Sequence, residues 1–193
     1  MTDVALQCDC GTVTGMARHL SYQNCNRVVC YCNDCQSFPR HLGKSDSVLD
    51  QWGGTDLFQM PQAWVTLATG AYQLRCLKLS DKGIYRWYTA CCNSPIGNTL
   101  GPGWPFIGII HTFMRHEQDR DTELGPSRGN VWVEYAAEGA PESITRAPSS
   151  IWLLLRVVRL MLVWKLRGLD QPSVFFSSDG KPTAEPEVLS QNN

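Results

Sequence analysis

The residues able to do chemistry are concentrated in three short stretches. Val28-Val29-Cys30-Tyr31-Cys32-Asn33-Asp34-Cys35-Gln36 places three thiols within six residues. Cys8-Asp9-Cys10-Gly11 carries two more near the N-terminus, and Cys91 and Cys92 are adjacent in mid-chain. Thiolate is a soft ligand well matched to zinc, and three thiolates plus a fourth position complete a tetrahedron. The chain has nine cysteines, an odd number, and residues 1–7 show neither a basic n-region nor an apolar h-region. The expectation is therefore a cytoplasmic, reduced protein in which clustered thiols are metal ligands rather than disulfides. Zn2+ is the default metal, about two ions per chain for two cysteine groups. Cys76, in the strand-like Leu74-Arg75-Cys76-Leu77-Lys78-Leu79, reads instead as a small buried hydrophobe, a reading that suits Cys25 in its polar stretch less well.

Short strands must position these thiols. Val28-Val29 deliver Cys30 at the end of one, and Gln36 to Leu42 fit one helical turn interrupted by Pro39. Thr12-Val13-Thr14 favour extended chain, with Gly11 free to curl the backbone round a metal. Further strands are expected at 56–59, 63–69, 72–79, 84–89, 106–112 and 131–135. The Ser80-Asp81-Lys82-Gly83 turn predicts a hairpin, and 45–56 and 115–130 read as surface loops. Ser149 or Ser150 then caps a helix over 151–167, apolar except for Arg156, Arg159, Lys165 and Arg167, with Gly168 at its C-cap. Four cations in this segment argue against a membrane span. The polar, proline-containing residues from Ser177 onward predict a largely disordered tail.

With 17 basic and 18 acidic residues the net charge is −1, which gives no reason to expect nucleic acid. A chain of 193 residues suits one domain with an appendage, here residues 1–148, then a helix at 149–168 and a tail at 169–193.

In order, the motifs Cys8-x-Cys10-Gly11, then Cys30-x-Cys32-x-x-Cys35, then Arg86-Trp87-Tyr88-Thr89-Ala90-Cys91-Cys92-Asn93-Ser94-Pro95 give the sequence a likeness over residues 4 to 112. It resembles the glutathione-dependent formaldehyde-activating enzyme family, which includes centromere-protein-V-like proteins. The resemblance implies a mainly β fold, the β-tent of short antiparallel strands around zinc, here with an added C-terminal helix. It also implies a structural zinc held by Cys8, Cys10 and a later Cys-x-x-Cys, and a second zinc on Cys30, Cys32 and Cys35 with one position open to the thiol of glutathione. In this chain the later motif falls on Thr89 and Cys92, so Cys91 would have to replace the missing ligand through a sharp turn at Cys92-Asn93. Tyr31 stands in place of the common histidine, and the chain from residue 150 has no counterpart in the family core.

As chemistry, an open zinc position would turn a bound thiol into a thiolate able to attack a small aldehyde, and the reverse reaction would be carbon–sulfur cleavage, hence a zinc-dependent lyase. A non-catalytic zinc module for a protein or small-thiol partner is the alternative. His41 is a candidate fourth ligand or acid, or a surface residue; His111 reads as core. Tyr31 could point into the site, Asp34 orients the backbone, and Arg27 and Arg86 could hold glutathione carboxylates or pair across strands. The 151–167 helix is expected to pack on the sheets or on a second copy, giving a homodimer with Arg156, Arg159 and Arg167 in water. Association with a membrane surface is its less favoured alternative.

Overall fold

The computed structural model describes residues 1–145 and 150–189. Alternating apolar and polar residues produce short strands, and their two faces divide between two cores. The first half contains β1 (Thr2–Gln7), β2 (Thr14–Leu20), β3 (Asn26–Cys30), β4 (Thr55–Met60), β5 (Val65–Thr69) and β6 (Leu74–Lys78). The second contains β7 (Tyr85–Thr89), β8 (Pro95–Thr99), β9 (Ile107–Ile110), β10 (Met114–Arg115), β11 (Asn130–Val131) and β12 (Pro186–Val188). They form a four-stranded sheet, β10-β1-β2-β5, and an eight-stranded sheet, β11-β3-β4-β9-β8-β7-β6-β12. All pairings are antiparallel except β11 on β3 and β12 on β6. The fold is mainly β, as the strand pattern predicts.

Val4 and Leu6 of β1 meet Phe58, Met60, Ile107, Ile109 and Trp87 of the larger sheet in one core. Leu57, next to Phe58 on β4, points the other way, into a second core with Val28, Leu77 and Ile110. Phe38 and Leu42 close that second core from α1 (Asn33–His41) and its C-cap, with Val48 from α2 (Ser45–Val48). The hairpin predicted at Ser80–Gly83 joins β6 to β7.

Several expectations change. Pro95 to Thr99, not among the expected strands, is a fully buried strand. The strand expected at 131–135 shrinks to β11, because Trp132 adopts a left-handed conformation (φ 58) and starts a single turn over Val133–Tyr135. The 115–130 segment contains α3 (Arg120–Leu124) and is tied down, with Asp121 on Arg27, Arg120 on Asp56 and His116 on Glu123.

The tail is not disordered over the residues described. Phe175 and Phe176 are each 1% exposed and pack on Trp87, with centroids 5.1 and 5.6 Å away. Beyond them β12 covers the edge of β6. An apolar anchor of two rings is too short to register as periodicity, yet it fills a pocket and closes an edge that would otherwise be open to other chains.

The C-terminal helix forms as α5 (Ser150–Leu166), ended by Gly168 in the left-handed region (φ 67), with the Leu169 amide donating to the Trp164 carbonyl. Ser150 opens it; Ser149 lies outside the described residues. A short helix, α4 (Glu142–Thr145), precedes it. The expected orientation of the basic residues is corrected for Arg156. Its Nη2 donates to the carbonyls of Tyr22, Gln23 and Cys25 at 3.1, 2.9 and 2.9 Å, which docks the helix on the turn before β3. Leu160 and Trp164 are buried beside it, and Ile151, Leu155, Val158 and Leu162 face outward. Among the described residues no helix is long and apolar enough to cross a membrane.

If the tail is part of the core, Phe175→Ala should destabilise the protein by about 3–5 kcal/mol in denaturant titration, the usual cost of emptying a buried phenylalanine site. A loss within ~0.5 kcal/mol would mean that the tail merely lies on the surface.

Candidate metal centres

Cys8 and Cys10 lie in the β1–β2 connection, and Cys91 and Cys92 in the β7–β8 connection, so the first group joins one sheet to the other. The four Sγ atoms all lie within 4.8 Å of one another. Cys8 Sγ is 3.6 Å from Cys10 Sγ and 3.8 Å from Cys91 Sγ, and Cys91 and Cys92 are 3.8 Å apart. A tetrahedron of sulfurs about 2.3 Å from a zinc ion has edges of about 3.8 Å, so this donor set fits the metal. Two adjacent cysteines in extended chain would point to opposite faces. Here the turn is closed by the Asn93 amide donating to the Thr89 carbonyl at 2.8 Å, with Asn93 left-handed (φ 53). Asparagine tolerates that conformation better than most residues.

Thr89 has its hydroxyl engaged within the turn. Its Oγ1 accepts the Ser94 amide at 3.2 Å and lies 3.4 Å from Cys92 Sγ, so it shapes the turn. Backbone donors also reach the sulfurs, since the Val13 amide donates to Cys8 Sγ at 3.2 Å. Burial pushes the Cys8 thiol up. Desolvation opposes ionisation of Cys92 as well, but hydrogen bonds from Ser94 and Thr89 outweigh it and hold that thiol at about 5. Lys44, paired with Asp9 at 2.8 Å, adds a cation nearby.

The second group is built by a strand meeting a helix. Cys30 ends β3, Cys32 is the N-cap of α1, and Cys35 sits in the first turn of that helix. Cys30 and Cys32 Sγ are 3.4 Å apart, and the Cys35 amide donates to Cys32 Sγ at 3.4 Å. Cys30 and Cys35 are buried and Cys32 is half-buried. A helix N-terminus favours negative charge on its capping sulfur. Hydrogen bonds from the Cys30 and Cys35 thiols hold Cys32 far below its ordinary value, helped by the Cys35 amide and the field of Arg86. Cys30 is pushed up because it donates to Cys32 and Cys35. Pro39 has no amide to give the Cys35 carbonyl, and the Thr55 hydroxyl donates to that carbonyl at 3.0 Å instead. The interrupting proline thus ties the third ligand to β4.

Arg86 of β7 lies beneath this cluster with its side chain only 2% exposed. Nη1 donates to Asn98 Oδ1 and Nη2 to Asp34 Oδ2, each at 3.1 Å, while Nε is buried without a partner. Asp34 therefore does more than orient backbone. Arg27 is committed to Asp56, Asp121 and the Gly125 carbonyl. Neither arginine presents a free edge to a solvent carboxylate, so both favour the cross-strand and pairing reading.

The other candidates lie apart. Tyr31 donates its hydroxyl to Asp50 at 2.9 Å and does not point at the thiols. His41 is exposed and belongs to neither cysteine group. His111 is half-buried, and desolvation lowers its pKa. Cys25 and Cys76 are core thiols, each pushed up to about 12 by burial. Sequence reasoning missed the roles of Ser94, Thr55 and Asn98, three small polar residues with no spacing signal.

A mainly β chain with two cysteine groups that could hold metal ions is the class these observations define. The chain belongs to a family of unknown function (DUF6151), whose model matches residues 1–187. No curated protein matches the sequence. The crystal structure of a Rhodobacter sphaeroides protein, a structural genomics target, aligns with 64% of this chain and 96% of that one at 15% identity and a TM-score of 0.43. That likeness is too distant to carry argument.

Two substitutions separate the groups. Cys10→Ser should destabilise the fold by more than about 4 kcal/mol and lower soluble yield, since metal energy at a closed site is also folding energy. Cys32→Ser should leave the melting temperature nearly unchanged and remove one metal ion. Equal collapse of both variants would refute that division. Arg86→Met, which removes the buried charge beside Cys32, should weaken metal retention at the three-cysteine group by about 10–100-fold in chelator competition. Retention unchanged from the parent would show that Arg86 serves packing alone.

Proposed function

We propose that this protein holds Zn2+ in both cysteine groups. The three-cysteine site then takes a small thiol such as glutathione, and carbon–sulfur bonds to an aldehyde are made or cleaved there. The observation that carries this reading is the unequal donor count. The group of Cys8, Cys10, Cys91 and Cys92 is complete with four thiols, whereas among the described residues no fourth His, Cys, Asp or Glu joins Cys30, Cys32 and Cys35. Closed sites are typically structural and open ones available to ligands. The motif likeness to the glutathione-dependent formaldehyde-activating family points the same way.

Zinc bound there would lower the pKa of an incoming thiol into the neutral range. The chain's own part is to hold three ligands in fixed geometry and to offset their charge. Cys32 is kept ionisable by the α1 N-terminus and by hydrogen bonds. Arg86 supplies a buried cation whose position is set by Asn98 and Asp34. For formaldehyde the addition balances without a further reagent: a sulfur–carbon bond forms, the carbonyl π pair moves to oxygen, and the thiol's proton ends on that oxygen.

The second reading, a zinc module that binds a thiol or protein without catalysis, is favoured by one feature. Tyr31 donates its hydroxyl to Asp50, and His41 is exposed and outside the cysteine groups, so neither candidate is presented to the cluster as an acid.

Protein purified under reducing conditions should contain close to two zinc ions per chain by elemental analysis. Glutathione should bind the parent in calorimetry and fail to bind Cys32→Ser. Formation of S-hydroxymethylglutathione faster than in buffer, followed by NMR, separates enzyme from binding module. One zinc per chain, with Cys8 and Cys10 open to alkylation, would overturn the two-site reading.

A further inference from the structure

Among the described residues nothing covers the outward face of α5. Turning about 100° per residue, Ile151, Leu155, Val158 and Leu162 form one stripe, and they are 51–59% exposed. Apolar patches of this kind are uncommon on monomers unless they meet something. Beside the stripe runs a groove of about 740 Å3, lined by Leu153, Leu154 and Val157 of α5 and by Trp132, Val133 and Glu134 opposite. Trp132 is itself 57% exposed.

Charge indicates what fits there. Residues 151–167 contain four cations and no carboxylate, while the charged residue lining the groove, among the described residues, is Glu134. Arg156 is used internally and Lys165 pairs with Asp170 at 3.0 Å, but no ion pair involves Arg159 or Glu134 among the described residues. One chain thus carries a basic apolar helix next to an apolar groove that presents Glu134. Two such surfaces, side by side, complement a second copy of themselves. An anionic lipid surface is the poorer match, because the groove is concave and the charge lining it is negative.

We propose that α5 and the groove beside it form an isologous dimer interface in which Arg159 of each copy meets the partner's groove at Glu134. The helix geometry sets the direction of the two-fold axis. Leu154 and Val157 lie on one flank of the exposed stripe and Arg159 on the other. An axis across the helices would place each Arg159 against the partner's Arg159. An axis along them places each Arg159 flank on the partner's groove flank, so the two helices run side by side in the same direction.

Light scattering on the full chain should give a dimer mass. Leu155→Glu with Leu162→Glu, on exposed positions, should give a monomer of unchanged circular dichroism and metal content. Arg159→Glu and Glu134→Arg should each weaken dimerisation roughly tenfold through two symmetric contacts, and the double exchange should restore it. A parent chain monomeric at tens of micromolar, or a dimer surviving the double Leu→Glu change, overturns the interface. Co-sedimentation of a monomeric parent with phosphatidylserine vesicles would assign the stripe to a membrane surface instead. Single exchanges that weaken the dimer without rescue by the double exchange would refute the pairing and the axis.

Discussion

Holding four thiols within 4.8 Å of one another is the constraint on which the rest of this structure depends. Each thiol that ionises repels the next, and the burial of Cys8 makes its own ionisation harder still. A cation accepting four sulfurs would convert that repulsion into a cross-link, and the spacing of the sulfurs fits zinc. Such a link would span 83 residues of sequence and tie the β1–β2 connection to the β7–β8 connection. Joining segments so far apart removes much chain entropy from the unfolded state. It would also fix how the smaller sheet lies on the larger around Trp87.

β7 couples the two cysteine groups. Arg86, on this strand, reaches Asp34 of α1 and faces the three-thiol cluster. Three residues further on, Thr89 begins the turn that presents Cys91 and Cys92. A shift of β7 along its neighbours would therefore misplace a ligand turn and a buried charge together. That register is held by pairing with β6 and β8 and by Trp87, whose Nε1 donates to Thr99 at 2.9 Å. The two groups differ in what surrounds them. Polar hydroxyls and a lysine attend the four-thiol group, whereas a helix N-terminus and a buried guanidinium attend the other.

Much of this was legible in the residues, and unevenly so. Cysteine spacing announced both groups because ligands must be close in space, and close spacing in sequence is the cheapest way to achieve that. The sharp turn that brings Cys91 and Cys92 to one group was legible too, since adjacent sulfurs meet only across such a turn and Asn93 suits one. What was hidden depends on partners distant in sequence. Pro95 to Thr99 contains proline, glycine and asparagine, and is a strand only because β7 and β9 flank it on both sides. Phe175 and Phe176 looked like part of a polar tail because nothing near them in sequence indicates the pocket beside Trp87.

The C-terminal helix shows why periodicity alone could not orient an element that is apolar nearly all round. Transfer of apolar area is non-directional, so several rotations of α5 would bury comparable surface. A group with strict geometry breaks such a tie. The carbonyls of Tyr22, Gln23 and Cys25 converge at the turn before β3, and Arg156 is the residue of α5 that meets all three. Satisfying them turns Leu160 and Trp164 inward and leaves the Ile151–Leu162 stripe outside. The polar contact selects the rotation, and the apolar face left over is its consequence. A guanidinium placed for hydrogen bonding has thus decided which hydrophobic surface the protein exposes.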